Sequence, residues 1–160
     1  MSGKYQIKDV ELIPLKAYVD DRGYLIEVIR KAEPKTDAWS VCEKFGQVYL
    51  VGNFGKGTIR AFHKHVELWD YFFISHGAAK FILVDDRNAS PTYKAMNTFI
   101  ISERNPSLLV VPPGVYHGWI SLEDDTQMIS IASEIYNREE PDEVRIPPDS
   151  FGDVWTVKGR

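Results

Sequence analysis

Three of the four histidines lie in two short segments bounded by turn residues: Gly57-Thr58-Ile59-Arg60-Ala61-Phe62-His63-Lys64-His65-Val66-Glu67-Leu68-Trp69-Asp70 and Pro112-Pro113-Gly114-Val115-Tyr116-His117-Gly118-Trp119. In a strand, side chains alternate between faces, so His63 and His65 project from the same face and can reach one centre. Strict alternation adds Glu67 to that face and leaves Asp70, five residues past His65, off it. His117 is distant in sequence, but remote strands of an antiparallel sandwich meet across its core. Imidazoles gathered in this way serve one of two chemistries. They move protons near neutral pH, or, joined by a carboxylate, they ligate a divalent transition metal. For an isolated His-x-His pair, an exposed strand surface is the plain alternative. Arg60 supplies a fixed fork of hydrogen-bond donors. Residues 60 and 63 fall on opposite faces of an unbroken strand, so their cooperation requires a bulge or a strand end.

The elements that must hold these residues follow a period of two. In Gly23–Arg30, Tyr24, Ile26 and Val28 face one way and Leu25, Glu27 and Ile29 the other, after the turn residues Asp20-Asp21-Arg22. Similar runs occur at Val10–Leu15, Gln47–Asn53, Thr58–His65, Leu68–Ile74, Ala78–Val84, Thr98–Ser102, Leu108–Val111, Tyr116–Leu122 and Met128–Ile135. Short strands at regular spacing predict an all-β sandwich or barrel. A turn of helix is expected at most within 91–98 or early in the tail. Segments 31–37 and 137–150 read as loops. One domain over 1–160 is expected, with 138–160 an irregular C-terminal tail. Trp69, Tyr71, Phe72 and Phe73 suit a buried strand better than base stacking. His76, beside Gly77, reads as an exposed turn residue, and Trp155 as a pin for the tail.

The chain has 160 residues, 44% of them hydrophobic and 26% charged, which places it among ordinary globular domains rather than disordered or fibrous chains. Lys and Arg total 19 against 23 Asp and Glu, a net charge of -4, so the basic footprint of nucleic-acid binding is lacking. Cys42 is alone, which excludes an internal disulfide and suits a reducing compartment. No apolar run has signal-peptide or membrane-spanning length, and a cytoplasmic protein with no membrane partner is expected.

Gly57, His63, His65, Asp70 and Gly77 stand at the spacings of the first cupin motif, with Asp for the usual Glu, and Pro112, Gly114 and His117 match Pro-x-Gly-x-x-His of the second. The chain thus resembles the cupin superfamily. That resemblance implies a jelly roll, the double-stranded β-helix. Within the superfamily it is most similar to the dTDP-4-dehydrorhamnose 3,5-epimerases, over about residues 9–140. The segments that carry this are Asp20-Asp21-Arg22-Gly23-Tyr24-Leu25-Ile26-Glu27, Arg60-Ala61-Phe62-His63, Asp85-Asp86-Arg87-Asn88-Ala89-Ser90-Pro91-Thr92-Tyr93 and Val111-Pro112-Pro113-Gly114-Val115-Tyr116-His117-Gly118-Trp119. The resemblance implies a base-catalysed epimerase of a 4-keto-6-deoxy nucleotide sugar, with no cofactor. It implies His63 as base, Arg60 and His117 near the sugar, and Arg22, Glu27 and Gln47 as nucleotide and phosphate contacts. It also implies a homodimer with exchanged N-terminal strands.

The departures define what else is open. The family's general-acid Tyr is expected thirteen residues past His117, where this chain has Ser130, and Asp70 and Phe81 replace a Lys and an acid. Tyr116 or Tyr136 is then expected to supply the acid. The C-terminal segment bearing the base's Asp partner has no evident counterpart, leaving Asp149 and Asp153. Arg60-Ala61-Phe62-His63-Lys64-His65 is also similar to a run in nucleotide-sugar 3,4-ketoisomerases, in which both His63 and His65 would move protons on one face of the sugar ring. A metal-dependent cupin would use His63, His65, His117 and Asp70 (or Glu67) for one divalent transition metal. A non-catalytic module that binds a sugar nucleotide is the remaining alternative.

Overall fold

The computed structural model describes residues 7–30 and 44–157. These form twelve strands and no helix: β1 (Glu11–Pro14), β2 (Ala17–Asp20), β3 (Gly23–Ile26), β4 (Gln47–Asn53), β5 (Ile59–Lys64), β6 (Asp70–His76), β7 (Ala78–Asp85), β8 (Met96–Ser102), β9 (Ser107–Val111), β10 (Val115–Ser121), β11 (Thr126–Ala132) and β12 (Val144–Arg145). Two antiparallel sheets carry the fold, ordered β1-β9-β6-β11-β4 and β12-β5-β10-β7-β8, with β2-β3 a separate hairpin. This is the all-β jelly-roll sandwich expected from the alternation and from the cupin resemblance.

The alternation decides what each strand buries. Phe72 and Ile74 of β6, Phe81 and Leu83 of β7, and Val115 and Trp119 of β10 point between the sheets and form the inner core with Met128 and Val111. Tyr71 and Phe73 point the other way, into a cluster with Leu108, Val110 and Ile131 that Ile26, Val28 and Ile29 help to cover. The aromatic run of β6 is therefore packing. On the outside of the second sheet, Phe62, Ile82, Val84, Tyr116 and Ile120 are covered by Ile146, Phe151, Val154 and Trp155 of the tail. Trp155 pins the tail as expected, its Nε1 donating to the Pro148 carbonyl at 2.8 Å.

Several boundaries differ from the sequence expectation. Ala17–Asp20 forms a strand paired with β3, because hairpin partners need only local complementarity. Within the expected loop 137–150, Val144 and Arg145 pair with Lys64 and His63. The segment 91–98 holds turns and the start of β8. The expected loop 31–37 and Cys42 lie outside the described residues. The segment 85–92 is a hydrogen-bonded knot. Buried Asp85 accepts from Arg87 Nε at 2.8 Å, Ser90 Oγ at 2.6 Å and Thr92 Oγ1 at 2.7 Å. No helix among the described residues is long and apolar enough to cross a membrane.

Candidate active site

The site begins with a bulge. His117 pairs with His63, but Trp119, two residues on, pairs with Arg60, three residues back, so β5 carries one extra residue against β10. The extra residue resets the alternation. Arg60 now shares the inward face of Trp119, and His63 that of His117, while Phe62 is turned to the outer cluster. Gly118 permits this, since a Cβ there would lie 2.3 Å from the Ala61 Cβ. Arg60 Nε donates to Asn53 Oδ1 at 2.7 Å and Nη2 to the Gly52 carbonyl at 3.1 Å, which ties β5 to β4 of the facing sheet.

The strand ends at Lys64, and the chain turns through 65–69. Glu67 therefore does not join the histidine face, contrary to strict alternation. It is exposed, and its N–H donates to Asp142. Asp142 organises this turn, its carboxylate accepting the N–H groups of Val66, Glu67 and Leu68 at 2.7, 2.9 and 3.0 Å. The turn brings Asp70 back into the site from the opposite sheet, despite its position off the alternation. Asp70 Oδ2 lies 3.3 Å from His65 Nε2 and 3.4 Å from His117 Nε2. The His63 and His117 rings are edge-to-face with centroids 4.2 Å apart.

The tautomers follow from the outer contacts. His65 Nδ1 meets the Asp142 carbonyl, and His117 Nδ1 the Val115 carbonyl at 3.1 Å. A carbonyl only accepts, so each Nδ1 carries the proton and each Nε2 presents a lone pair. Asp70 Oδ2 and His117 Nε2 are buried without a hydrogen-bond partner. Three acceptors thus surround one point, and either a proton on Asp70 or a cation must separate them. The ligating nitrogens of His63, His65 and His117 all lie within 4.8 Å of one another. In donor chemistry, and in having Nδ1 of His65 and His117 tied to carbonyls, the set fits a divalent transition metal with Asp70 as carboxylate.

Burial sets the protonation of these groups. It pushes the His63 imidazole down to about 4, against an opposing pull from the Glu143 carboxylate. It also pushes His117 down, with His63 and His65 acting in the same direction. Asp70 is pushed well above the usual carboxylate range by burial, and Glu143 and Asp142 add to the rise. His63 and His117 are accordingly neutral bases at neutral pH.

A family model described as dTDP-4-dehydrorhamnose 3,5-epimerase matches residues 4–158. The chain belongs to the dTDP-4-dehydrorhamnose 3,5-epimerase family. It is 34% identical to the spore coat polysaccharide biosynthesis protein SpsL of Bacillus subtilis, over 96% of this chain and 99% of that one. It is 32% identical to the probable low-salt glycan biosynthesis epimerase Agl13 of Haloferax volcanii, over 89% of each. A crystal structure of dTDP-4-dehydrorhamnose 3,5-epimerase from Bacillus anthracis, with TDP and PPi bound, superposes with a TM-score of 0.74 at 26% identity, over 86% of this chain and 78% of that one.

Against the family's pattern, the structure gathers His63, His65, His117 and Asp70 in one place, with Arg60 three residues back on the same face of β5, bonded to Asn53 and Gly52. Gln47 stands on the inner face of β4, accepting from the Tyr136 N–H at 3.2 Å. Arg22 and Glu27 are not brought to this cluster within the single chain. Arg22 pairs with Asp20 at 2.5 Å in the exposed hairpin turn, and Glu27 pairs with Arg30. Tyr116, one of the two residues expected to supply the acid, does not share the histidine face. Its neighbour His117 points inward, so Tyr116 must point outward, where it packs in the tail-covered cluster under Lys64. Asp153 binds Thr156 in a tail turn, with Asp149 in the preceding turn. The carboxylate whose charge reaches His63 is instead Glu143, 13% exposed beside β12 and paired with Arg145 at 2.9 Å, the Arg145 charge acting on His63 in the opposite direction. Sequence reasoning missed Glu143, Asp142 and Tyr49. The alternation of β4, which sets Gln47 and Tyr49 on one face, was the available signal for the last.

Proposed function

We propose that the protein epimerises a nucleotide-linked 4-keto-6-deoxy sugar, with His63 as general base. One observation supports this reading: the β5 bulge sets a neutral imidazole and the Arg60 guanidinium on the same inward face of the strand, in a chain of this epimerase family. The ketone acidifies the hydrogens on the adjoining ring carbons. His63 removes one, the electron pair passes into the enolate, and the Arg60 charge lowers the energy of the developing oxyanion. Glu143 supports the imidazolium that forms. The names of the Bacillus and Haloferax relatives support a place in polysaccharide or glycan assembly.

In heavy water, the protein should place deuterium at a carbon next to the ketone of a dTDP-linked 4-keto-6-deoxyhexose and invert that carbon. His63→Ala should do neither. Deuterium uptake at an undiminished rate in that variant would remove His63 as base, and a product whose ketone has moved to C3 would indicate ketoisomerisation instead.

A second reading is favoured by the two imidazole nitrogens, of His65 and His117, that lie beside Asp70 Oδ2. There, His63, His65, His117 and Asp70 hold one divalent transition metal, which when bound would polarise a substrate oxygen. The His63 nitrogen cannot both ligate and take a proton, so the two readings are alternative uses of one atom.

The functional unit we propose is a homodimer in the cytoplasm. The β2–β3 hairpin exposes Val19 by 76%, Tyr24 by 74% and Leu25 by 64%, an apolar surface that a second copy would cover while carrying Arg22 towards the partner's cleft. The single cysteine suits a reducing compartment. A monomer in sedimentation at micromolar concentration would remove the dimer.

A further inference from the structure

This inference rests on the epimerase reading and names the group that completes it. Inversion requires the proton to leave one face of the sugar ring and return to the other, so the acid must stand on the wall opposite His63. That wall is formed by β4, β11 and β6, where Tyr49, Ser130 and Phe72 make one row, Ser130 pairing with both neighbours. Ser130 occupies the position at which the family's Tyr is expected. Its Oγ is buried against Tyr49, and a serine hydroxyl is too weak an acid for this step.

Tyr49 stands directly across the strand pair from Ser130. Val51, two residues on, packs against the inner core, so the Tyr49 side chain also leaves from the inner face. The bond from Arg60 to Asn53 locks the near ends of β4 and β5 together around the turn 54–58. From that contact the strands recede in opposite chain directions, with Tyr49 four residues back and His63 three residues on. At about 3.3 Å per residue they lie roughly 13 and 10 Å along facing walls. Phe72 of the Tyr49 row touches the His117 ring, which adjoins that of His63.

We propose that Tyr49 is the general acid, delivering its phenolic proton to the ring carbon on the face opposite His63. The C–H electron pair enters the enolate as His63 takes the proton. The enolate carbon then forms its new bond to the Tyr49 proton, the O–H pair remaining as phenolate. The imidazolium proton passes through water to the phenolate, so both groups are restored and the reaction is a net isomerisation. Tyr49 is half-buried, and that burial pushes the phenol pKa up, with Asp70 and Glu143 adding to the rise against the hydrogen bond with Ser130.

Tyr49→Phe tests this with the whole protein and a dTDP-linked 4-keto-6-deoxyhexose in heavy water, following deuterium content and carbon configuration together by NMR. The expected result is a split: deuterium still enters, returned by His63 to the face it came from, while inverted product falls by roughly a hundred- to ten-thousand-fold. Inverted product at the unaltered rate would overturn the assignment. Loss of deuterium uptake along with inversion, in a variant with an unchanged melting temperature, would also overturn it and make Tyr49 a positioning residue. His63→Ala should lose both. Absence of exchange and inversion in the unaltered protein would overturn the epimerase reading itself, and the role of Tyr49 with it.

Discussion

Asp70 Oδ2 and His117 Nε2 lie 3.4 Å apart, both buried and neither hydrogen-bonded. Such a pair is stable only with a positive charge or a proton between its members. The expected outcome of adding zinc or manganese to chelator-treated protein is uptake of one ion per chain, measured by elemental analysis after desalting and by a rise in melting temperature. Asp70→Asn and His117→Ala should each abolish the rise. Folded protein that takes up no ion would leave the proton on Asp70 as the answer. In that case Asp70→Asn should raise the melting temperature at pH 8 more than at pH 5, because Asp70 is ionised when unfolded and resists ionisation when folded.

The depressed His63 gives the metal-free protein a distinct pH profile. Unfolded histidine takes its proton near pH 6.5, whereas folded His63 resists to about 4. The unfolded state therefore binds more protons between these values, and the His63 contribution to stability is complete above pH 6.5 and is lost as the pH falls towards 4. The acid limb of kcat/KM should likewise lie near 4 rather than 6.5. Glu143→Gln, which removes an upward pull on His63, should move that limb to lower pH and reduce the plateau rate. A limb that stays in place would remove Glu143 as the partner of the base.

Asp142 holds the turn between His65 and Asp70 by three backbone N–H groups, while its carbonyl meets His65 Nδ1. Asp142→Ala should cost about 1–3 kcal/mol in urea unfolding. Since the turn positions both His65 and Asp70, turnover should fall more than the lost stability explains. Equal activity at temperatures well below unfolding would show that the turn holds its shape without Asp142.

At the far side of the second sheet, burial raises the Asp85 carboxyl, but the hydrogen bonds from Arg87, Ser90 and Thr92 outweigh it and hold the group well below the usual carboxylate range. Its stabilisation is present above about pH 4 and is lost as the pH falls further. Asp85→Ala removes the acceptor shared by Arg87, Ser90 and Thr92, leaves Arg87 its Asp9 and Lys8 contacts, and should cost about 1–3 kcal/mol, seen as a lower urea midpoint at an unchanged slope. A loss below about 1 kcal/mol would show the knot to be dispensable.

Alternation and turn residues were local properties, so the β-rich sandwich and the shared face of His63 and His65 were legible in the sequence alone. So was the orientation of Tyr116: its adjacency to His117 already places the two on opposite faces of β10. Motif spacing carried the family because the order of the segments survives substitution. What only the tertiary structure decided were relations between strands. One extra residue in β5 against β10 put Arg60 and His63 on the same wall, a register effect that no periodicity within β5 reveals. The turn held by Asp142 returned Asp70 to the histidines from the other sheet, and β12 brought Glu143 to His63 from a stretch with no strand pattern of its own. Tyr49 gained its meaning only by pairing with Ser130, 81 residues away. Side-chain direction along a strand follows from local sterics, whereas the choice of facing residue depends on how sheets pair and pack. Chemistry needing two walls is settled at that second level.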